Sequence, residues 1–211
     1  MFVKCLKGGG LETNCYILCD KVLNRAAVID PGFDSARILT ALRETECTAD
    51  YVLLTHGHYD HLAGAGKVAA ETGAILAAFE AERPLIADPQ ANLAAMLADG
   101  PFDPVQVDEW LAEGQLLRVG KLEIRVLHTP GHTHGSCCFI CQDSIFCGDT
   151  LFKDGAGRTD FPTGSREELG ASFAKLAALE GEFHLFPGHG EQTTLSRERE
   201  LNPYMPREQA E

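Results

Sequence analysis

No run of apolar residues in this sequence approaches the roughly 20 that a membrane-spanning helix requires. Basic charge is scarce too: 18 Lys and Arg against 31 Asp and Glu leave a net charge of −13, with no basic stripe along the chain. A phosphate backbone is bound through clustered cations, so this composition argues against a nucleic-acid partner. It leaves room for a small local basic pocket, because net charge does not describe one site. The first residues, Met1-Phe2-Val3-Lys4-Cys5-Leu6-Lys7 and three glycines, lack the apolar stretch of a secretory signal. Linkers, low-complexity tracts and sequence repeats are missing as well. The expectation is one domain over 1–211, with two similar halves of roughly 1–110 and 111–211.

Cysteine is plentiful, with eight residues, but the chain is too long for a disulfide-stapled mini-protein. Cys138 and Cys141 form a CxxC inside the apolar β-type run Ser136–Cys141, without the turn or helix start that redox and zinc motifs favour. The reading is a buried strand of reduced thiols, and with it a cytoplasmic location.

Strand-type runs cover Phe2–Leu6, Cys15–Cys19, Ala26–Ile29, Tyr51–Leu54 and Ala74–Ala77. Asp34 or Ser35 caps a helix over Ala36–Glu44, and a helix over Leu62–Thr72 is closed by Gly73. Residues 80–100 read as helices broken at Pro84, Pro89 and Gly100, with no recognisable chemistry. The second half repeats the plan: strands at Gln115–Val119, Lys121–Leu127, Ser136–Cys141, Ser144–Cys147 and Phe183–Phe186, and helices at Arg166–Leu179 and Leu195–Leu201. Strands followed by helix in each half predict an α/β fold of two sheets packed face to face, helices outside, with the site where the halves meet.

The chemistry concentrates at strand ends. His56-x-His58-x-Asp60-His61 sets four strong ligands within six residues directly after Tyr51–Leu54. His56 and His58 share a side of an extended segment, and a turn after them swings Asp60 and His61 toward a second point. His132 and His189 each follow a Pro-Gly turn at a strand end, and Asp149 follows Ser144–Cys147 as Gly148-Asp149-Thr150. Imidazoles with carboxylates suit zinc or iron rather than the all-oxygen sites of magnesium and calcium. Seven such residues exceed the needs of one ion. His128, His134 and His184 read as structural or supporting, and Asp30 and Thr133 as acceptors for ligand imidazoles.

These motifs, His-x-His-x-Asp-His, Gly-His, Gly-Asp-Thr and Gly-His, resemble the metallo-β-lactamase superfamily across nearly the whole chain. The resemblance implies an αββα four-layer sandwich. It also implies one metal on His56, His58 and His132, a second on Asp60, His61 and His189, and Asp149 bridging them. Thr129–Ser136, Gly148–Phe152 and Gly157–Phe161 look like the thioesterase and glyoxalase II branch, and Pro187–Gly190 with Thr193-Thr194 resembles its short, single-domain members. True β-lactamases of the superfamily usually carry Cys at the bridging position and an export signal.

The implied enzyme is a binuclear hydrolase cleaving S-acylglutathione, for example S-lactoylglutathione. Its cofactors are two divalent ions, zinc first, with iron or a mixed pair as alternatives. Asp60 and Asp149 would be catalytic and Arg158 would bind substrate. The partner is a small-molecule thioester, with no membrane and no nucleic acid; oligomeric state stays open. The sequence continues only about 20 residues past His189, so the helical domain that supplies basic residues to glutathione in classical glyoxalase II is not expected. The rival is a mononuclear-iron persulfide dioxygenase of the same superfamily, which shares Gly-Arg-Thr-Asp-Phe and would hold its metal on His56, His132 and Asp149.

Overall fold

The computed structural model describes residues 1–100 and 104–206. A first six-stranded sheet runs in sequence order through β1 (Phe2–Gly8), β2 (Thr13–Asp20), β3 (Arg25–Ile29), β4 (Thr48–Leu54), β5 (Ile75–Phe79) and β6 (Glu109–Leu111). Its first three strands pair antiparallel, and β3 to β6 pair parallel. The second sheet contains β7 (Leu116–Val119), β8 (Leu122–His128), β9 (Cys137–Cys141) and β10 (Ser144–Gly148). A small hairpin of β11 (Leu151–Phe152) and β12 (Gly155–Ala156) projects after β10. The sheet is completed by β13 (His184–Pro187), parallel to β10, and β14 (Thr193–Thr194).

Three apolar layers hold this stack together, and they explain why the strands read as continuous apolar runs. On β2, Cys15, Ile17 and Cys19 face outward, while Tyr16 and Leu18 face the second sheet. On β9, Cys137, Phe139 and Cys141 point between the sheets, while Cys138 and Ile140 point to the far side. A strand buried on both faces has no polar face to alternate with. Cys138 and Cys141, three apart on a strand, therefore point to opposite faces and cannot pair. All eight cysteines are free thiols.

Helices cover both outer faces. α1 (Ser35–Glu44) and α3 (Ala65–Thr72) put Ile38, Leu42 and Val68 on the first sheet. Of the two cap candidates it is Asp34 whose side chain caps α1, accepting from Ala36 N at 3.0 Å. On the second sheet, α6 (Arg166–Ala177) buries Leu169, Phe173 and Leu176, beside Leu195 of α7 (Leu195–Leu201). The predicted αββα sandwich is the observed architecture. No helix among the described residues is long and apolar enough to cross a membrane.

Three local expectations are corrected. The helix expected over Leu62–Thr72 is two pieces, α2 (Tyr59–Leu62) and α3. The break falls at Gly64, whose N–H donates to Pro31 O at 2.8 Å and whose Cα faces the Pro31 and Phe33 carbonyls too closely for a side chain. Pro84 does not break a helix. It lies in the first turn of α4 (Arg83–Ala87), where its missing N–H costs nothing. α5 (Ala94–Leu97) follows, and β6 and the β11–β12 hairpin are elements the hydrophobic pattern did not reveal because they are so short.

Phe146 lies fully buried between the sheets, edge-on to Tyr16 at 5.4 Å and stacked on Phe186 at 4.9 Å between ring centroids. Phe146→Ala should destabilise the fold by about 3–5 kcal/mol, through lost transfer energy and the cavity left behind. Urea unfolding with unchanged slope would read this as a lower midpoint. A loss under about 1 kcal/mol would show that the inter-sheet layer is not a principal support.

Candidate metal centre

Parallel pairing brings the C-terminal ends of β3, β4 and β5 to one edge, and the ends of β10 and β13 meet them from the other sheet. The chain leaving β4 is extended through His58 (φ −69°, ψ 148°) and then enters α2, so His56 and His58 precede the turn while Asp60 and His61 sit on the helix. Asp149 follows β10 and His189 follows β13, two strands in parallel register. His132 comes from the loop between β8 and β9. All seven residues expected to ligate therefore converge.

Their polar atoms fall into overlapping groups: His56, His58 and His132; His56, His61 and Asp149; and Asp60, His61 and His189, each group within 4.8 Å. His58 Nδ1 lies 2.9 Å from His132 Nε2, and His61 Nε2 lies 3.3 Å from His189 Nε2. Asp149 faces both ends of the cluster: Oδ1 is 3.4 Å from His61 Nε2, and Oδ2 is 3.6 Å from His132 Nε2 and 3.5 Å from His189 Nε2. Asp60 Oδ2 is 3.2 Å from His189 Nε2 and accepts the Thr13 hydroxyl at 2.9 Å.

The outer nitrogens are anchored. His132 Nδ1 donates to Arg158 O at 2.7 Å, and His189 Nδ1 to Leu11 O at 3.0 Å. A carbonyl can only accept, so the neutral form of each ring turns an Nε2 lone pair inward. His61 Nδ1 is 3.0 Å from Asp30 Oδ2, and Asp30 also accepts Thr55 N and Thr55 Oγ1 at 2.8 and 2.6 Å. Asp30 thus supports a cluster imidazole as expected. Thr133 does not: its hydroxyl donates to Glu82, not to a histidine.

The electrostatics are those of a site built around positive charge. Burial pushes His58 down to about 3, and burial with the neighbouring His61 and His132 pushes His56 lower than an ordinary imidazole. Burial also opposes charge on His61, but the Asp60, Asp149 and Asp30 carboxylates outweigh it and hold His61 up to about 10. Burial would raise Asp60, and the nearby His61 and His189 instead hold it well below the usual carboxylate range. Among the described residues, His56 Nε2, His58 Nε2 and Asp149 Oδ1 are buried with no hydrogen-bond partner. Buried polar atoms are normally satisfied, so orphans of this kind in a nest of imidazoles and carboxylates fit a cation.

A pocket of about 440 Å³ opens over the cluster. Leu93, Met96 and Leu97 from the 80–100 segment wall one side, with Phe152 and Phe161 also lining it, so that segment does serve the site. Arg158 lines the pocket as expected, but its guanidinium is already engaged. Nε and one terminal nitrogen reach Asp160 at 2.9 and 2.7 Å, and Cζ lies 4.1 Å from the centroid of the Phe161 ring. The three other histidines stay apart from the ligand groups. His128 stacks on Phe79 at 4.2 Å, His134 faces Glu168 at 3.7 Å, and His184 is exposed in β13.

Sequence reasoning missed Glu82, Thr13 and the Leu11 carbonyl, none of which belongs to a local motif. Gly188 carries a signal that the Pro-Gly-His pattern contains: a Cβ there would collide with Asp149 Oδ1 and the His61 ring. Only glycine lets the chain pass so close to the cluster.

Comparison with known proteins agrees with this geometry. A sequence model of the Metallo-beta-lactamase superfamily matches residues 8–189. An uncharacterized protein of Mycobacterium leprae is 37% identical over 97% of this chain and 99% of its own. The hydroxyacylglutathione hydrolase GloC of Haemophilus influenzae is 32% identical over 97% of this chain and 98% of its own. Among solved structures, the B3 metallo-beta-lactamase BLEG-1 superposes with a TM-score of 0.90 at 31% identity, covering 97% of this chain and 99% of that one. TTHA1623 in a di-iron-bound form gives 0.80 at 30% identity over 96% and 100%. With seven converging ligand-type residues, an αββα sandwich and matches over nearly its whole length, this chain belongs to the metallo-β-lactamase superfamily of metallo-hydrolases.

Proposed function

We propose that the protein is a thioesterase of the hydroxyacylglutathione-hydrolase type, working in the cytosol on S-acylglutathione. His56, His58 and His132 would hold one divalent ion, Asp60, His61 and His189 a second, with Asp149 between them. The Asp149 carboxylate, which faces His132 of the first group and His61 and His189 of the second, supports that division. Zinc or iron suits these donors, and the di-iron relative keeps iron in view. Bound there, the ions would polarise a carbonyl oxygen and lower the pKa of a water toward about 7.

The observation that carries the substrate class is what the pocket wall lacks. Outside the ligand set, Arg158 is the one ionisable side chain among the described lining residues. Among the described residues, no Tyr, Lys or additional carboxylic acid lines the pocket to protonate a leaving group. A thiolate departs without that help, since thiols have pKa values of about 8.5. Opening a β-lactam releases a far more basic nitrogen that has to be protonated. Asp60 and Asp149 are the groups available to orient the attacking water, and the Thr13 hydroxyl in turn holds Asp60. The 32% identity with GloC over nearly both full lengths supports the same class. Eight free cysteines suit a reducing compartment.

Arg158 has one edge on Asp160, so it would meet a glutathione carboxylate through its remaining N–H donors or by exchanging Asp160 for it. Arg158→Ala should therefore raise KM for S-lactoylglutathione several-fold with little change in kcat, whereas Asp160→Asn should lower KM by freeing the fork. Steady-state kinetics on S-lactoylglutathione, a thioester of an uncharged thiol and a β-lactam test the whole reading. Equal KM changes on both thioesters would remove Arg158 from recognition, and turnover of the β-lactam alone would overturn the thioesterase.

Elemental analysis of protein purified without chelator should find close to two metal ions per chain. Asp149→Ala should lower occupancy of both, while His189→Ala should mainly cost the second. One iron per chain, with His58 and His189 dispensable, would replace this reading with the mononuclear dioxygenase.

A further inference from the structure

The segment after β5 contains a buried carboxylate that belongs to no ligand group. Glu82 ends a 3-10 turn, Glu80–Glu82, and is 1% exposed. Its Oε2 accepts the Gly57 N–H at 2.6 Å. Its Oε1 accepts both the Thr133 hydroxyl and the Gly135 N–H, each at 2.7 Å. Gly57 stands between His56 and His58, and Thr133 and Gly135 follow His132. One carboxylate thus grips both chain segments that carry this imidazole trio.

The approach is close on each side. A Cβ on Gly57 would stand 2.8 Å from Glu82 Oε2, and one on Gly135 would stand 2.5 Å from Glu82 N. Neither loop could carry a side chain at these positions and keep its contact. The grip continues outward: Thr133 gives its proton to Glu82, so the Ser136 hydroxyl, 2.6 Å away, donates to Thr133 Oγ1. Burial pushes the Glu82 carboxyl up, against the pull of the Thr133, Gly57 and Gly135 donors. Three donors and no acceptor are what an ionised carboxylate matches.

We propose that Glu82 is a positioning residue for the cation site of His56, His58 and His132, setting the spacing between the two loops that deliver them. The proposal rests on the reading of those three histidines as ligands. It makes an asymmetric forecast. In Glu82→Gln the amide oxygen can stay on Thr133 and Gly135, which turns its NH₂ against the Gly57 N–H, donor to donor. The opposite orientation would set NH₂ against two donors. The glutamine therefore loses its hold on the His56–His58 segment first, while the His132 loop keeps its anchor. Thr133→Val removes one of three bonds and should have the smallest effect.

The test is Co²⁺ titration of metal-free wild type, Glu82→Gln, Glu82→Ala and Thr133→Val, followed by electronic absorption, with metal-free thermal unfolding measured in parallel. The wild type should bind two Co²⁺. Glu82→Gln should bind one with affinity lowered about 10- to 100-fold, the range for groups that orient metal ligands, and with altered absorption bands. The other ion should be unaffected, and kcat on the thioester should fall with KM unchanged. Should Glu82→Ala fail to fold, the near-isosteric Glu82→Gln still decides the matter. Wild-type affinity and spectrum at both sites in a folded Glu82→Gln would overturn the proposal, including when its metal-free stability alone is reduced. A wild-type protein that takes up no Co²⁺ would overturn the ligand reading and this proposal together, a result distinct from loss in the variants alone.

Discussion

Five imidazoles and two carboxylates packed at one sheet edge cannot all be satisfied by one another. His58 Nδ1 and His132 Nε2 stand 2.9 Å apart, and His132 gives its Nδ1–H to a carbonyl. His132 Nε2 can then accept from His58 Nδ1, which leaves His58 Nε2, with His56 Nε2 and Asp149 Oδ1, buried and without a partner among the described residues. Burying such groups without a partner is costly, and the chain accepts that cost where it can be offset by a cation. The remainder of the fold serves to hold the cluster together against this internal mismatch.

The sandwich achieves this with apolar layers on every side of the strands that end there. β10 is buried along its whole length, and β3 and β4 are buried on both faces at their C-terminal ends, so these ends have little freedom to move apart. Polar side chains then fasten each loop to its neighbour: Asp30 to Thr55 and His61, Thr13 to Asp60, and Glu82 across the two histidine loops. Interior chains of hydrogen bonds of this sort fix orientation more tightly than surface pairs do, because no water competes for them.

Above the cluster the protein changes character. Among the described residues the wall is leucine, methionine and phenylalanine, and Arg158 leans on an aromatic ring with its charge turned to Asp160. Such a wall offers a ligand apolar surface and little charge. The net charge of −13 acts at longer range, against anionic ligands in general, so a local cation matters all the more for one that has to bind.

The candidate metal cluster was legible in the sequence because its information is local. His56 to His61 lie within six residues after a buried strand, and the Pro-Gly-His and Gly-Asp-Thr turns name their own positions at strand ends. Two apolar halves with strands before helices likewise determined a layered α/β fold. What the chain alone did not reveal depends on neighbours distant in sequence. Gly64 interrupts a helix because Pro31 and Phe33 present carbonyls to it. Thr133 turns to Glu82 rather than to a ligand, and Glu82 acts on Gly57 and Thr133 from 25 and 51 residues away. No periodicity or spacing encodes such partners, because a lone glutamate in a turn looks the same whether it meets water or two loops. Only packing, which removes water and leaves each donor a single acceptor within reach, decided which it would be.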